Sequence, residues 1–261
     1  MIGLAMPSRG RPDRCSFAIE SALRHARKPE DIRVLVAVDA DDPELDNYRF
    51  ELARLDDNVD LLEGDFDTSV KGWNAAAAKL HSDGADAIHM AADDLEYFKD
   101  WDEHVRAVVE TMDAPWIMHY RDFYRDEARA CNPFVSRSYY QEFGFLPPEV
   151  SHMHSDEWLE AMGRLSGALI YCPSLEIRHN HPKEGRASWD ETYLNPRTPK
   201  RREADAAAWE SIQERLRHES ARLCRMVQPK PWIAACASPP TPPPPSSSSP
   251  SSPDAPAPRS A

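Results

Sequence analysis

The chain has 261 residues and a formal net charge of −13 at pH 7. Such acidity disfavours a general attraction to nucleic acid or to anionic membranes. The five cysteines are odd in number and lack metal-site spacing, which indicates reduced thiols. No apolar run reaches the roughly 18 residues of a membrane span, and the start Met-Ile-Gly-Leu-Ala-Met-Pro is too short for a signal peptide. We therefore expect a soluble protein of the cytoplasm.

The first hundred residues alternate between predicted strands and helices. Two apolar runs, Ile2–Met6 and the β-branched Ile32–Val38, predict strands, and the second ends at Asp39. Between them, apolar residues recur at helical spacing and predict a helix: Ala18, Ile19, Ala22, Leu23 and Ala26. A further helix is expected from about Gly72 to His81, followed by a strand from Ala87 to Ala92. This alternation predicts a parallel sheet with crossover helices.

The second half of the chain is less regular. Asp100 and Glu103 match a capping box that opens a helix. Trp116–Tyr120 and Ala168–Cys172 are predicted strands, and Phe134–Phe143 is predicted to be a turn followed by a helix. Thr198-Pro199 opens a last long helix, whose inward-facing residues are Ala208, Ile212, Leu216 and Leu223. From Ala237 onward the chain is almost wholly Pro, Ser and Ala, which predicts a disordered tail.

Two adjacent carboxylates, Asp93 and Asp94, end the apolar run that begins at Ala87. A buried strand that stops there places negative charge at the carboxyl edge of a sheet, where open α/β folds bind ligands. Neighbouring carboxylates repel each other, and a divalent cation would relieve the repulsion. Hard oxygen ligands suit Mg²⁺ or Mn²⁺, which usually share their remaining positions with phosphate.

Four other segments carry candidate functional groups. The loop Pro7-Ser8-Arg9-Gly10-Arg11-Pro12 follows the first strand, and its hydroxyl and guanidiniums suit a nucleotide or its phosphates. Asp39 can accept hydrogen bonds from a base or a ribose. Asp156 starts a short amphipathic segment, as a cap or as a general base. His179 and His181 alternate on an extended segment, which suits metal ligation. Glycine-rich dinucleotide and phosphate-loop fingerprints are absent from the sequence.

Taken in order, these segments resemble the GT-A glycosyltransferases, particularly the family-2-like enzymes that many bacteriophages encode. The resemblance covers about residues 1–195. The matching segments are Pro7–Pro12, the strand ending at Asp39, Lys71-Gly72-Trp73-Asn74, Asp93-Asp94, Asp156-Glu157-Trp158-Leu159 and His179-Asn180-His181-Pro182, followed by Gly185, Asp190 and Tyr193.

The resemblance implies a nucleotide-sugar donor, which we interpret as a UDP-sugar, held by Mn²⁺ or Mg²⁺. Asp94 matches the metal ligand, with His179 or His181 as the late metal-binding histidine. Asp156 matches the catalytic base of inverting members. The donor-binding positions are Pro7, Ser8, Arg9, Arg11, Asp39, Lys71, Trp73, Asn74 and Asp93. Because the sequence reads Asp-Asp-Leu-Glu rather than Asp-x-Asp, Glu96 is an alternative acid.

We therefore expect an α/β GT-A domain, a Rossmann-like nucleotide-diphospho-sugar transferase with a mostly parallel central sheet. It would span residues 1–195, with a donor half at 1–95 and an acceptor half at 96–195. A helical extension at 196–236 and the tail at 237–261 would follow.

The expected activity is glycosyl transfer to a hydroxyl of a modified DNA base, a glycan or a protein, in a bacterial or phage-infected cell. The acceptor class and the inverting or retaining outcome stay open. Two other interpretations are a nucleotidyltransferase of related fold and a non-catalytic binding module whose Pro-rich tail docks a partner.

Overall fold

A computed structural model describes residues 1–194 and 198–227 of the chain. Within these ranges the centre is a sheet of eight strands in the order β3-β2-β1-β4-β7-β6-β8-β5. The strands are β1 (Ile2–Pro7), β2 (Ile32–Asp39), β3 (Val59–Gly64), β4 (Ala87–Met90), β5 (Leu95–Tyr97), β6 (Ile117–Arg121), β7 (Phe134–Ser136) and β8 (Leu169–His179). Strand β1 pairs in parallel with β2 and β4, and β2 pairs in parallel with β3. Strand β6 pairs in parallel with β8. The antiparallel pairs are β4–β7, β6–β7 and β5–β8.

Helices cover both faces of the sheet. They are α1 (Pro12–His25), α2 (Leu45–Leu52), α3 (Ser69–Ser82), α4 (Trp101–Thr111), α5 (Arg137–Phe143), α6 (Ser155–Ser166), α7 (Glu191–Leu194), α8 (Pro199–Ser211) and α9 (Gln213–Met226). Leu4 of β1 packs in one hydrophobic cluster with α1 and α4, whereas its neighbour Ala5 packs in a second with α3, α6 and α9. Because successive side chains of a strand point to opposite faces, a sheet covered on both faces has continuously apolar strands.

The expected α/β fold is confirmed, including the strands that begin at Ile2 and Ile32 and the helix that includes Gly72–His81. The predicted Ala168–Cys172 strand continues to His179. Helix α2 and strands β3 and β5 are not predicted from the sequence, and the turn predicted at Phe134 is strand β7. Strand β3 is a half-exposed edge strand that mixes acidic and apolar residues, so its periodicity is weak.

The predicted capping box at Asp100 is wrong. Asp100 has a left-handed backbone, with φ of 60°, and its side chain makes no capping hydrogen bond. The first turn of α4 is instead closed by a backbone hydrogen bond, in which Glu103 N donates to Asp100 O at 3.2 Å. A hydrogen bond from Asp100 N to His25 O fixes this entry into α4.

The C-terminal helices share the core of the domain. Ile212 and the α9 residues Leu216 and Leu223 are buried in the second cluster together with Trp158 and Leu159 of α6. The single long helix predicted from Thr198-Pro199 is two helices, α8 and α9, and both pack on this core. The predicted tail at 237–261 lies outside the described residues. In the described part of the chain no helix is both long and apolar enough to cross a membrane.

His89 on β4 is a buried histidine with a defined tautomer. Its Nε2 lies 2.8 Å from Asn132 O, so Nε2 carries the proton, and Nδ1 accepts from Tyr97 Oη at 2.8 Å. The ring stacks on Phe134. Burial lowers the pKa of His89 from 6.5 to about 3. The folded protein therefore keeps His89 neutral where the unfolded chain binds a proton.

This difference predicts a pH-dependent contribution of His89 to stability. The contribution is complete above pH 6.5 and is lost as the pH falls towards 3, because only the unfolded chain is then protonated. Between pH 8 and pH 5 the loss amounts to roughly 2 kcal/mol. Denaturant unfolding should show wild type more stable than His89→Gln at pH 8, with a gap about that much smaller at pH 5. The exposed His218→Gln is the control, and an unchanged gap for His89→Gln would contradict the assignment.

Candidate active site

A cavity of about 1000 Å³ lies where β1, β2 and β4 end. These strands are parallel, so their carboxyl ends meet at one edge of the sheet. The structure brings most of the predicted site residues to this cavity, whose lining includes Pro7, Ser8, Arg9, Arg11, Asp39, Trp73, Asp93, Asp94, Asp156, His179 and His181.

Hydrogen bonds from the loop after β1 hold the Asp93 carboxylate. Arg11 N donates to Tyr48 Oη at 2.8 Å, and Ser8 Oγ donates to Asp93 Oδ2 at 2.7 Å. The single Ser8 proton is used there, so at 2.6 Å Tyr48 must donate to Ser8. Arg11 Nη1 donates to Asp93 Oδ1 at 3.1 Å. Both oxygens of Asp93 are thus engaged by the loop after β1.

Arg11 joins this network to the segment that follows β8. Its Nε donates to Asp190 Oδ2 at 2.9 Å, and its Nη2 donates to Asp190 Oδ1. The guanidinium also lies 4.0 Å from the ring centre of Tyr193. Only 6% of the Arg11 side chain is exposed. Burial would lower the pKa of Arg11, but Asp93 and Asp190 raise it, so the cation is held between two carboxylates.

Asp94 has different partners from Asp93. Its Oδ2 lies 3.1 Å from His179 Nε2 and accepts from Tyr193 Oη at 2.7 Å. Burial would raise the pKa of Asp94, but His179, then Tyr193 and Arg11, hold it below its usual value. The pKa of Asp93 instead rises to about 6, because burial outweighs Arg11. Two adjacent carboxylates are therefore driven towards different protonation states.

Asp94 Oδ1 and His179 Nδ1 are buried atoms with no hydrogen-bond partner in the structure. A buried polar atom without a partner is costly and is an indication of an ion or water site. An anionic oxygen beside an imidazole suits Mn²⁺ or Mg²⁺. Among residues 1–194 and 198–227, no set of three or more His, Cys, Asp or Glu side chains forms a complete metal site. Asp94 and His179 are therefore candidate ligands and not a formed metal site, since His179 Nε2 faces Asp94 and Nδ1 is the nitrogen without a partner.

His181 lines the same cavity with a different environment. Its ring stacks on Tyr124, with centroids 5.4 Å apart, and meets Tyr193 edge-on. Its Nδ1 accepts from Lys183 N at 3.1 Å. Glu96, the alternative acid, lies outside the lining and pairs with Arg178 at 3.1 Å, because β5 turns its side chain towards β8.

Asp39 ends β2 and is already bonded within the protein. Its Oδ1 accepts from the backbone N–H groups of Phe66 and Asp67, at 2.8 and 3.0 Å. Its Oδ2 accepts from Arg9 Nη1 at 2.9 Å, and the same Nη1 reaches Asp41 at 2.7 Å. Arg9 is half-exposed, so it is the partner that a ligand could replace at Asp39.

Helix α3 contributes part of the predicted Lys-Gly-Trp-Asn motif. Trp73 lines the cavity, and its Nε1 donates to Ala91 O at 2.7 Å. A Cβ on Gly72 would lie 2.9 Å from Pro7 Cβ, so glycine permits this close approach. Lys71 and Asn74 do not reach the lining. Lys71 pairs with Asp67 at the surface, whereas both amide atoms of Asn74 bond the backbone of Leu146.

Asp156 lies in the first turn of α6, half-buried and facing the cavity. Its Oδ1 accepts from Glu157 N at 2.9 Å. Burial raises the pKa of Asp156, while Arg129 and His179 oppose the rise. A carboxylate with a raised pKa is better suited to accept a proton. Its neighbour Glu157 pairs with Arg129 and His154.

Several residues of the cavity lining have no role predicted from the sequence. Asp190 and Tyr193 belong to the resemblance, yet their contacts with Arg11 and Asp94 depend on long-range folding. Tyr124 lies two residues after Asp122, whose Oδ1 accepts from the N–H groups of residues 124, 125 and 126. Such an Asx turn leaves only a weak signal in the sequence.

No protein-family model and no curated protein sequence matches this chain. Solved structures do match its fold. TarS 1-349 of S. aureus has a TM-score of 0.54 at 10% identity, covering 70% of this chain and 61% of that one. Its complex with UDP-GlcNAc has a TM-score of 0.52 at 9% identity, covering 74% and 63%. This chain thus spans less than two thirds of the TarS chain.

A second match covers more of both chains. The mannosyltransferase PcManGT from Pyrobaculum calidifontis, in complex with GDP-Man and Mn²⁺, has a TM-score of 0.52 at 13% identity. The match covers 90% of this chain and 78% of that one. At such identities the likeness concerns the fold, and it confirms the expected GT-A architecture.

The Arg11 network predicts a large stability cost for one substitution. Arg11→Gln leaves Asp93 buried without its cation, and breaking a buried pair typically costs about 3–5 kcal/mol. Arg24→Gln is the matched control, because the exposed Arg24–Glu20 pair should contribute at most about 1 kcal/mol. Urea unfolding at pH 7.5 measures both variants. A cost below 1 kcal/mol for Arg11→Gln would show that Arg11 does not stabilise the site.

Proposed function

We propose that this protein is a metal-dependent glycosyltransferase that moves a sugar from a nucleotide-sugar donor to an acceptor hydroxyl. The observation that carries the proposal is one cavity that combines Asp94, His179 and Asp156 at the carboxyl edge of a GT-A sheet. A candidate cation site and a candidate general base then face the same space. Glycosyl transfer needs both functions, since charge grows on the leaving group while the acceptor loses a proton.

The donor would occupy the part of the cavity bordered by β1 and β2. Arg11 and Ser8 hold Asp93 in place, so that Asp93 can border the sugar or the ribose without moving. Asp39 would take the base or ribose in place of Arg9, the half-exposed side chain among its partners. Trp73, fixed by its bond to Ala91, would support the same wall.

Asp94 and His179 would hold Mn²⁺ or Mg²⁺, with His181 as the next candidate. Such an ion supplies positive charge that stabilises a leaving nucleoside diphosphate. Asp94 supports this role because its Oδ1 is buried and has no partner. Phosphate oxygens of the donor would supply further ligands, as is common for these hard cations.

Asp156 would act as the base that takes the proton from the acceptor hydroxyl. Burial favours its protonated form, which suits a group that accepts a proton during the reaction. Asp156 lines the same cavity of about 1000 Å³ as the acid pair, and a cavity of this size has room for an acceptor. Direct attack of the hydroxyl on the anomeric carbon would invert its configuration.

The structural neighbours support the donor class at the level of a nucleotide sugar. One complex contains UDP-GlcNAc, and the other contains GDP-Man with Mn²⁺. We favour a UDP-sugar, as the sequence resemblance implies, with GDP-sugars as the comparison in the experiment. A glycan or a protein is the better acceptor than a modified DNA base, because the net charge of −13 repels DNA.

Donor binding should depend on a divalent cation and on Asp94. Titration calorimetry with UDP- and GDP-sugars should show at least tenfold tighter binding with Mn²⁺ than with EDTA. Asp94→Asn should abolish that difference, because it removes the anionic oxygen. The control is Glu96→Gln, which changes a carboxylate outside the cavity and should bind as wild type does. Equal affinity in Mn²⁺ and in EDTA would refute the metal site.

Asp156→Asn should lower turnover about 10²–10⁴-fold, the usual cost of removing a general base. Donor affinity and melting temperature should remain near those of wild type, because asparagine preserves the shape. Glu160→Gln, one turn along α6 and paired with Arg164, is the control and should keep its activity. Transfer to an acceptor, with the anomeric configuration of the product read by NMR, measures both. Full activity of Asp156→Asn would rule out this base.

A further inference from the structure

Asp205 on α8 is a buried carboxylate that lies outside the cavity lining. It is 2% exposed. Its Oδ1 accepts from the backbone N–H of Ser151 at 2.8 Å and from the Ser151 hydroxyl at 2.7 Å. Its Oδ2 accepts from Met153 N at 2.8 Å and from His152 N at 3.3 Å. One carboxylate thus binds three successive backbone amides.

The hydrogen bonds that Asp205 accepts favour its charged form. Burial would raise its pKa, but the hydrogen bonds from Ser151, Met153 and His152 hold the pKa below its usual value. Bonds to an ionised acceptor are about twice as strong as bonds between neutral groups. Asp205 is therefore a strong, localised restraint on residues 151–153.

Residues 151–154 lead directly into α6, where Asp156 lies in the first turn. The same segment is also held by α3, since Val70 N donates to Ser151 O at 3.3 Å. His154 then takes a left-handed backbone, with φ of 67°, and stacks on Trp209 of α8. A strained conformation of this kind persists only where its surroundings fix it. The start of α6 is thus set by contacts from α3 and α8.

We infer that Asp205 is a positioning residue, which fixes residues 151–154 so that Asp156 faces the cavity. This inference rests on the proposed role of Asp156 in transfer. Asp205 cannot touch the reacting groups, because its oxygens are occupied by the segment and it is absent from the lining. Its effect on the reaction must pass through the segment. Small displacements of a catalytic group can lower rates 10²-fold.

The experiment compares full-length Asp205→Asn with Glu203→Gln, an exposed acid on the same helix that loses the same charge. Asparagine presents an NH₂ group where the amides need an acceptor. Hydrogen exchange followed by mass spectrometry should show at least tenfold faster exchange at residues 151–153 in Asp205→Asn. Its kcat should fall tenfold or more, with KM for the donor within twofold of wild type. Glu203→Gln should match wild type in every measurement.

A double-mutant cycle separates positioning from general destabilisation. Within the Asp156→Asn background, Asp205→Asn should cause no further loss of kcat, because both changes remove the same base. Unchanged exchange at residues 151–153 would overturn the restraint itself. A wild-type kcat, or an additive loss in the double variant, would overturn the positioning role. If wild type transfers no sugar from any nucleotide-sugar donor, the proposed function fails and the positioning role fails with it, whatever the exchange data show.

Discussion

Two adjacent carboxylates, Asp93 and Asp94, are buried where β4 ends, and their charge is the constraint around which the site is built. Arg11 and Ser8 bind both oxygens of Asp93, whereas His179 and Tyr193 bind only one oxygen of Asp94. The two acids therefore differ in how many of their oxygens are already bonded. Asp93 is a fixed part of the cavity wall, and Asp94 keeps one buried oxygen without a hydrogen-bond partner.

The groups that satisfy this constraint come from distant parts of the chain. Arg11 and Asp190 are 179 positions apart, and Tyr193 reaches Asp94 over 99 positions. Helix α8 also provides a distant contact, since its Asp205 holds the segment before Asp156. The cavity is complete only when the residues after β8 have folded back onto the first strand. For this reason helices α8 and α9 belong to the same folded core as the cavity.

The sequence predicts the parts of this arrangement that depend on local pattern. The apolar runs that end at Asp39 and at Asp93 predict two strands and the edge at which their carboxylates meet. It does not reveal partners that are brought together by folding, such as Asp190 for Arg11 or Leu146 for Asn74. Lys71 and Asn74 follow from the family resemblance, but the helix phase directs them away from the cavity. At Asp100 the side-chain pattern is misleading, because the backbone conformation decides how α4 begins.

The claim that Asp94 and His179 form a cation site for donor binding is tested most directly by anomalous scattering. Crystals grown with Mn²⁺ and a nucleoside diphosphate should give one strong anomalous peak, within bonding distance of Asp94 and His179 and of a phosphate oxygen. Asp93 should keep its bonds to Arg11 and Ser8 in that complex. A nucleotide bound in the cavity with no anomalous peak, or with the peak on other residues, would contradict the account.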